Sequence, residues 1–367
     1  MKKAIHLAAF DRNIGDNGLN LAIEKMLSNY FNISRMEIVG NSFGKNEVKK
    51  INECDLIIFG GGGLIHSCSG GSSRKNRTRT GTMWNIEMKD LISLKPKIVA
   101  YGVGYNRFVG EPGPLPVMGK FFEVLRKKES IASFRNDNSI NNFLSEFPEF
   151  NQYVQEIPDP GLFCRHETTK KSDHVVIQIA TDRMEFRYPN GFDKFLDFIN
   201  SILDQIPYKT ILIPHTSSDE KIYKKYKNKI KVDVIYPLMN RMEQTMKVIE
   251  VYKRSKYTIS TRGHSQLFSI GNGIPTFSIS THNKVKEFME NNNLSEYNHD
   301  YLNSSNKSGL DKFKHFRSNL IDYSERIEKL NTEFDQIIEK HWIIWVFSIL
   351  IFSFLIRLWG LLMYGEI

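Results

Sequence analysis

The sequence predicts an α/β protein with two doubly wound domains facing a cleft, followed by a C-terminal apolar membrane helix. Short β-rich runs alternate with amphipathic stretches along most of the 367 residues, the pattern of parallel sheets with crossover helices. A break falls at residues 158–172, where Pro158, Pro160 and Gly161 precede a polar stretch. The chain closes on WIIWVFSILIFSFLIRLWGLLMY at residues 342–364, whose only charge is Arg357.

In the first half, strands are expected at residues 4–9, 56–59, 98–102 and 130–134. Helical patterns lie between them at 19–30, 84–94, 117–128 and 139–147. The second half predicts strands at 174–180, 210–213, 232–236, 257–260 and 276–279, with helices at 192–206, 241–254, 264–272 and 284–291. The division that follows is 1–160, 161–309, a charged helical connector at 310–340, and a membrane-attachment helix at 341–364. With Arg357 snorkelling to a headgroup level, the apolar run reaches the roughly 20 residues of a bilayer crossing. Trp342, Trp345, Trp359 and Tyr364 sit towards its ends, as aromatic belts do. Lys340 and His341 at its start agree with a body on the cytoplasmic face. Whether the segment spans or lies in one leaflet stays open, as does the oligomeric state.

Composition sets further bounds. At 41% hydrophobic residues the chain can bury a core, which excludes wholesale disorder. The net charge of +9 suits phosphorylated small molecules or an anionic membrane surface. It does not point to nucleic acid, since no recognised module accompanies it. Cys54, Cys68 and Cys164 form neither a disulfide framework nor a C-x-x-C pair, and no metal-ligand cluster stands out. The apolar run near Met1 is too short for a signal segment and is expected to be the first strand.

In facing doubly wound domains, ligands sit at the carboxyl ends of strands, so chemistry is expected in the loops that follow them. Gly60–Gly63 is expected to turn after its strand and let backbone approach an anion or a sugar, with Gly61 and Gly62 lining the cleft. It fails the dinucleotide fingerprint, because Ile65 stands where the third glycine belongs. Asp16 either caps the first helix or orients a sugar hydroxyl. Arg135, at a strand end, offers a planar fork for a carboxylate or phosphate, or pairs with Asp137. The most specific stretch is Thr261-Arg262-Gly263-His264-Ser265, where a fixed cation precedes a histidine able to carry a proton. Lys284 follows the next strand, so a parallel sheet brings it near His264, whereas Lys286 faces solvent. The basic loop Ser69–Arg79 is either a solvated loop or a flap for an anionic acceptor, and the lysine-rich run 221–231 is an exposed helix face.

Taken in order, these stretches resemble the polysaccharide pyruvyl transferase family. The matching pieces are Asn13-x-Gly15-Asp16, residues 55–64, Tyr101-Gly102-Val103-Gly104 and Ser133-x-Arg135. Pro158-Asp159-Pro160, Arg262-x-His264-Ser265, Gly273-Ile274-Pro275 and Lys284 complete the set. The resemblance covers residues 3–289. It implies a fold like the GT-B type of glycosyltransferase, with phosphoenolpyruvate as co-substrate and no further cofactor. It also implies transfer of pyruvate as a ketal onto a sugar of a surface polysaccharide or lipid-linked glycan precursor. Its functional arginines and lysine map onto Arg135, Arg262 and Lys284 as donor-binding residues, and its histidine onto His264. One departure is visible: the family places Asp directly after the first arginine, and here Asn136 precedes Asp137. Two alternatives use the same scaffold, a nucleotide-sugar-dependent glycosyltransferase and a non-catalytic protein of polysaccharide assembly.

Overall fold

The computed structural model describes residues 1–66, 79–106 and 116–340. Among them are two six-stranded sheets in which every neighbouring pair is parallel. The first contains β1 (Lys2–Ala8), β2 (Phe31–Glu37), β3 (Leu56–His66), β4 (Lys97–Asn106), β5 (Ile131–Arg135) and β6 (Val154–Ile157), in the order β2-β1-β3-β4-β5-β6. The second contains β7 (His174–Gln178), β8 (Lys209–Leu212), β9 (Val234–Ile235), β10 (Thr258–Ser260), β11 (Thr276–Ser280) and β12 (Asn298–Asp300), in the order β12-β11-β10-β7-β8-β9. The strand order reverses at β1 in one sheet and at β7 in the other, and those reversals open the crevices where ligands sit.

The central strands are buried along their whole length; all five residues of β7 and of β11 are buried, the polar ones among them included. Such runs are what a sheet covered on both faces demands. Three strands lie outside the expected set, β2, β6 and β12. Only Phe31 of β2 is fully buried, so this edge strand carries too few apolar residues to announce itself. Helical residues 320–340 do more than connect. Tyr323, Ile327 and Phe334 are buried in the core around β7–β11, whereas Ile338 reaches the core beneath β1 and β3. The helix thereby ties both halves together. The apolar segment 341–364 and residues 69–78 of the basic loop lie outside the described residues. Among those described, no helix is long and apolar enough to cross a membrane.

The first helix, Ile14–Leu27, starts five residues before the periodicity suggests. Its N-cap is Asn13, whose side chain accepts a hydrogen bond from Gly15 N at 2.9 Å, so Asp16 does not serve as the cap. Gly15 and Gly18 hide the helix from a propensity argument, yet packing requires them. A Cβ at Gly15 would lie 1.8 Å from His264 Nδ1, and one at Gly18 would lie 2.4 Å from Phe268. This glycine face lets the helix Gly263–Gly271 of the second half approach closely. The contact is reinforced by Ile14 N donating to His215 O at 3.0 Å and Met242 N donating to Asp11 Oδ1 at 2.7 Å.

Candidate active site

The glycine run takes a different role from the expected turn. Gly60–Gly63 lie inside β3, which runs on past them with a bulge between Gly62 and Ile65. The glycines are needed because neighbours press on them from both sides. A Cβ at Gly60 would meet Tyr101 O at 2.3 Å, one at Gly61 would meet Asn20 Oδ1 at 2.0 Å, and one at Gly62 would meet Asp16 Oδ1 at 2.5 Å. Positive φ at Gly61 (+83°) and Gly62 (+103°) adds to the requirement. Gly61 and Gly62 therefore shape the cleft by seating Asn20 and Asp16, and Gly63 is the glycine that lines it.

Asp16, Arg135, Arg262, His264 and Lys284 converge on one cavity of about 250 Å³ between the two sheets. Each comes from a loop or helix start that follows a strand. Asp137 and Asp159 of the first half join them, as do Asp182 and Arg187 of the second.

Arg135 is buried at the end of β5. Its Nε lies 2.7 Å from Asp137 Oδ2 and its Nη1 lies 3.3 Å from Asp159 Oδ2. Its guanidinium lies over Gly104, where a Cβ would come within 2.4 Å of Nη2. The carboxylate expected directly after the arginine is thus supplied one position later. Asn136, in its place, accepts a hydrogen bond from Asp159 N at 2.9 Å and so holds the second carboxylate in position. Asp159 also caps the turn Pro160–Phe163 by accepting from Gly161 N at 2.8 Å. Burial, then the charge of Asp137, push the Asp159 carboxyl up to about 6 against the pull of Arg135.

Across the cleft, Arg262 Nη2 lies 2.9 Å from Asp182 Oδ1, and 3.0 and 3.1 Å from the two oxygens of Asp219. Asp219 is fully buried and accepts further bonds from Thr181 N, His215 N and Thr216 N. Asp182 in turn accepts from Arg187 Nη2 at 2.8 Å. Burial would raise the Asp182 carboxyl, but Arg187 and Arg262 outweigh it and hold it well below the usual carboxylate range. Asp182, Arg187 and Asp219 escaped the sequence reading, although Asp182 and Asp219 follow β7 and β8 as site residues in this fold should.

His264 joins the two walls. Its Nε2 accepts from Arg135 Nη1 at 3.2 Å, and its Nδ1 lies 4.0 Å from Asp16 Oδ1. Accepting at Nε2 places the ring proton of the neutral tautomer on Nδ1, towards Asp16. Burial, then the cationic Arg135 and Lys284, hold His264 well below its ordinary pKa. Burial pushes Asp16 up to about 6, opposed by Arg135, Lys284 and Arg262. Lys284 begins the helix Asn283–Asn291, and burial followed by Arg135 lowers it to about 8. Lys286 points away and pairs with Asp300 at 3.1 Å.

The model of the family described as polysaccharide pyruvyl transferase matches residues 13–283. The chain belongs to the polysaccharide pyruvyl transferase family. As a polysaccharide pyruvyl transferase family member it is a transferase; the cavity-lining residues from Asn13 to Leu267 fall within the matched span, and Lys284, Val285 and Phe288 lie just beyond it. No curated protein sequence matches the chain. Its fold is similar to that of S. aureus MnaA in a co-structure with UDP, with a TM-score of 0.54 and 10% identity over 89% of this chain and 91% of that one. It is also similar to the UDP-GlcNAc 2-epimerase of Neisseria meningitidis bound to UDP-GlcNAc, with a TM-score of 0.52 and 12% identity over 92% and 99% of the two chains. A putative UDP-N-acetylglucosamine 2-epimerase from Listeria monocytogenes gives a TM-score of 0.51 and 11% identity over 89% and 90%. At these identities the likeness is one of fold, the GT-B-like pairing of two α/β halves.

Proposed function

We propose that this family member transfers pyruvate from phosphoenolpyruvate to a saccharide as a ketal and releases phosphate. The observation that carries the reading is the cavity itself, in which Arg135, Arg187, Arg262 and Lys284 surround a small polar space. Phosphoenolpyruvate brings a carboxylate and a phosphate, and planar, fixed guanidinium groups suit both. Three of the carboxylates lining the cavity are already committed, Asp137 and Asp159 to Arg135 and Asp182 to Arg187 and Arg262.

His264 carries the proton that reaches the enol methylene. A bound trianion reverses the local field and favours the imidazolium, and a donor carboxylate on Arg135 releases Nε2 from its present bond. The cationic side chains supply the charge stabilisation that phosphate departure needs, so the scheme uses no metal. We further propose that residues 341–364 hold the enzyme at the cytoplasmic face of the membrane, where a lipid-linked acceptor would meet the cleft.

A thermal-shift titration of the full chain tests the donor. Phosphoenolpyruvate should raise the melting temperature saturably and nucleotide sugars should not, because a ligand stabilises only the state it binds. A saturable shift with a nucleotide sugar and none with phosphoenolpyruvate would replace this reading with glycosyl transfer.

A further inference from the structure

We propose that Asp16 is the catalytic base that takes the proton of the attacking acceptor hydroxyl, an inference that rests on the pyruvyl-transfer reading above. Asp16 differs in its surroundings from the other carboxylates of the cavity. Asp137, Asp159 and Asp182 each touch an arginine, whereas the ion-pairing neighbour of Asp16 among the described residues is His264. An arginine-bound carboxylate has its lone pairs occupied and makes a poor base; one beside a neutral imidazole keeps them available.

Position supports the same role. Asp16 sits in the first turn of the helix Ile14–Leu27, with its carboxylate wedged over Gly62. Any side chain at Gly62 would displace it, so the glycine run aims this one oxygen. Its side chain is 20% exposed, against 2% for Asp159, and the open side is the cavity. The carboxylate belongs to the first half, whereas Arg187, Arg262 and Lys284 belong to the second. A donor held by those cations and Arg135 would share one cavity with Asp16. Arg135, Arg262, Lys284 and His264 are the charged or titratable groups that face it.

The step balances. The acceptor oxygen forms a bond to C2 and its proton passes to Asp16. The C2–C3 π pair takes a proton from the His264 imidazolium, so the methylene becomes a methyl group. A second acceptor hydroxyl then bonds to C2 while the C2–O bond to phosphate breaks, with its electron pair leaving on the phosphate. The second hydroxyl proton leaves as hydrogen phosphate, and Asp16 and His264 exchange their protons with solvent as product departs.

The test compares wild type, Asp16→Asn and Asp16→Ala on phosphoenolpyruvate, with water and a panel of p-nitrophenyl glycosides bearing free diols as acceptors. Phosphate release and donor binding are both read. Asp16→Asn should lose ~10²–10⁴ in kcat, the range of a general base, with donor affinity unchanged within a few-fold. Formate should restore part of the turnover of Asp16→Ala. Turnover near wild type in Asp16→Asn would overturn the assignment. So would loss of donor binding together with turnover, without formate rescue, which would make Asp16 a structural residue. Wild type that binds no phosphoenolpyruvate and releases no phosphate with any acceptor would overturn the pyruvyl-transfer reading itself, and this assignment with it.

Discussion

Arg135 in the first half and Arg262 in the second are both buried arginines at the carboxyl end of a parallel strand, each held by two carboxylates. Their partners behave oppositely. Asp159, beside Arg135, is raised to about 6, as is the neighbouring Asp16, whereas Asp182, between Arg187 and Arg262, is held well below the usual range. Direct contact accounts for the difference. Two guanidinium groups lie within 2.9 Å of Asp182, whereas Asp159 meets Arg135 at 3.3 Å and shares it with Asp137, and Asp16 faces its cations without an ion pair to any of them, so burial wins. Arg187, Asp182 and Arg262 thus form a charged frame in the second wall, whereas Asp16 and Asp159 of the first wall are poised to exchange protons near pH 6. A reaction that moves protons beside an anionic donor needs one wall of each kind.

Breaking the fixed wall should have the largest effect. Asp219→Ala leaves Arg262 half-paired and strips acceptors from Thr181, His215 and Thr216. Loss of one partner of a buried ion pair removes ~3–5 kcal/mol, so a marked fall in melting temperature is expected in calorimetry. Next come the two residues that meet across the cleft. His264→Ala should abolish turnover with donor affinity within a few-fold, whereas Arg135→Ala should weaken donor binding by ~2 kcal/mol, the worth of a charge-assisted contact. Titration calorimetry beside steady-state kinetics separates the two.

Lys284 sharpens the comparison, because it is a cation of the second wall that titrates. With its pKa lowered to about 8 it is charged below that pH and neutral above it. In wild type, kcat/KM for the donor should therefore fall as pH rises through 8, and Lys284→Met should be weaker and flat across that range. The smallest effect on stability is expected at Asp16. Its pKa is raised from 3.8 to about 6, so the stability associated with its protonated form is lost as pH rises from 4 to 6. Asp16→Asn mimics that form. It should melt above wild type at pH 7.5, with the difference gone by pH 4, while being the slower enzyme.

Much of this was legible in the sequence. Continuous apolar runs mark the central strands because both faces of each sheet are covered, and the rule that sites follow strands locates Arg135, Arg262, His264 and Lys284. Two kinds of information were hidden. Edge strands such as β2 and β12 carry little apolar signal. The helix Ile14–Leu27 is disguised by Gly15 and Gly18, which exist for His264 and Phe268, residues of the other half. The contact between Arg135 and His264 joins positions 129 apart, which no local pattern encodes. Arg187 belongs to a helix of four residues in a polar loop and stands out only once Asp182 and Arg262 lie beside it. Glycines expected to touch ligand turn out to make room for the side chains of Asn20 and Asp16.

Pyruvyl transfer is tested most directly by incubating the full chain with phosphoenolpyruvate and the glycoside panel, then following phosphate release and product mass together. The account predicts one phosphate for each glycoside that gains the mass of pyruvate less one water, and loss of both signals in His264→Ala. Glycosyl transfer from a nucleotide sugar, with no ketal formed from phosphoenolpyruvate, would contradict it.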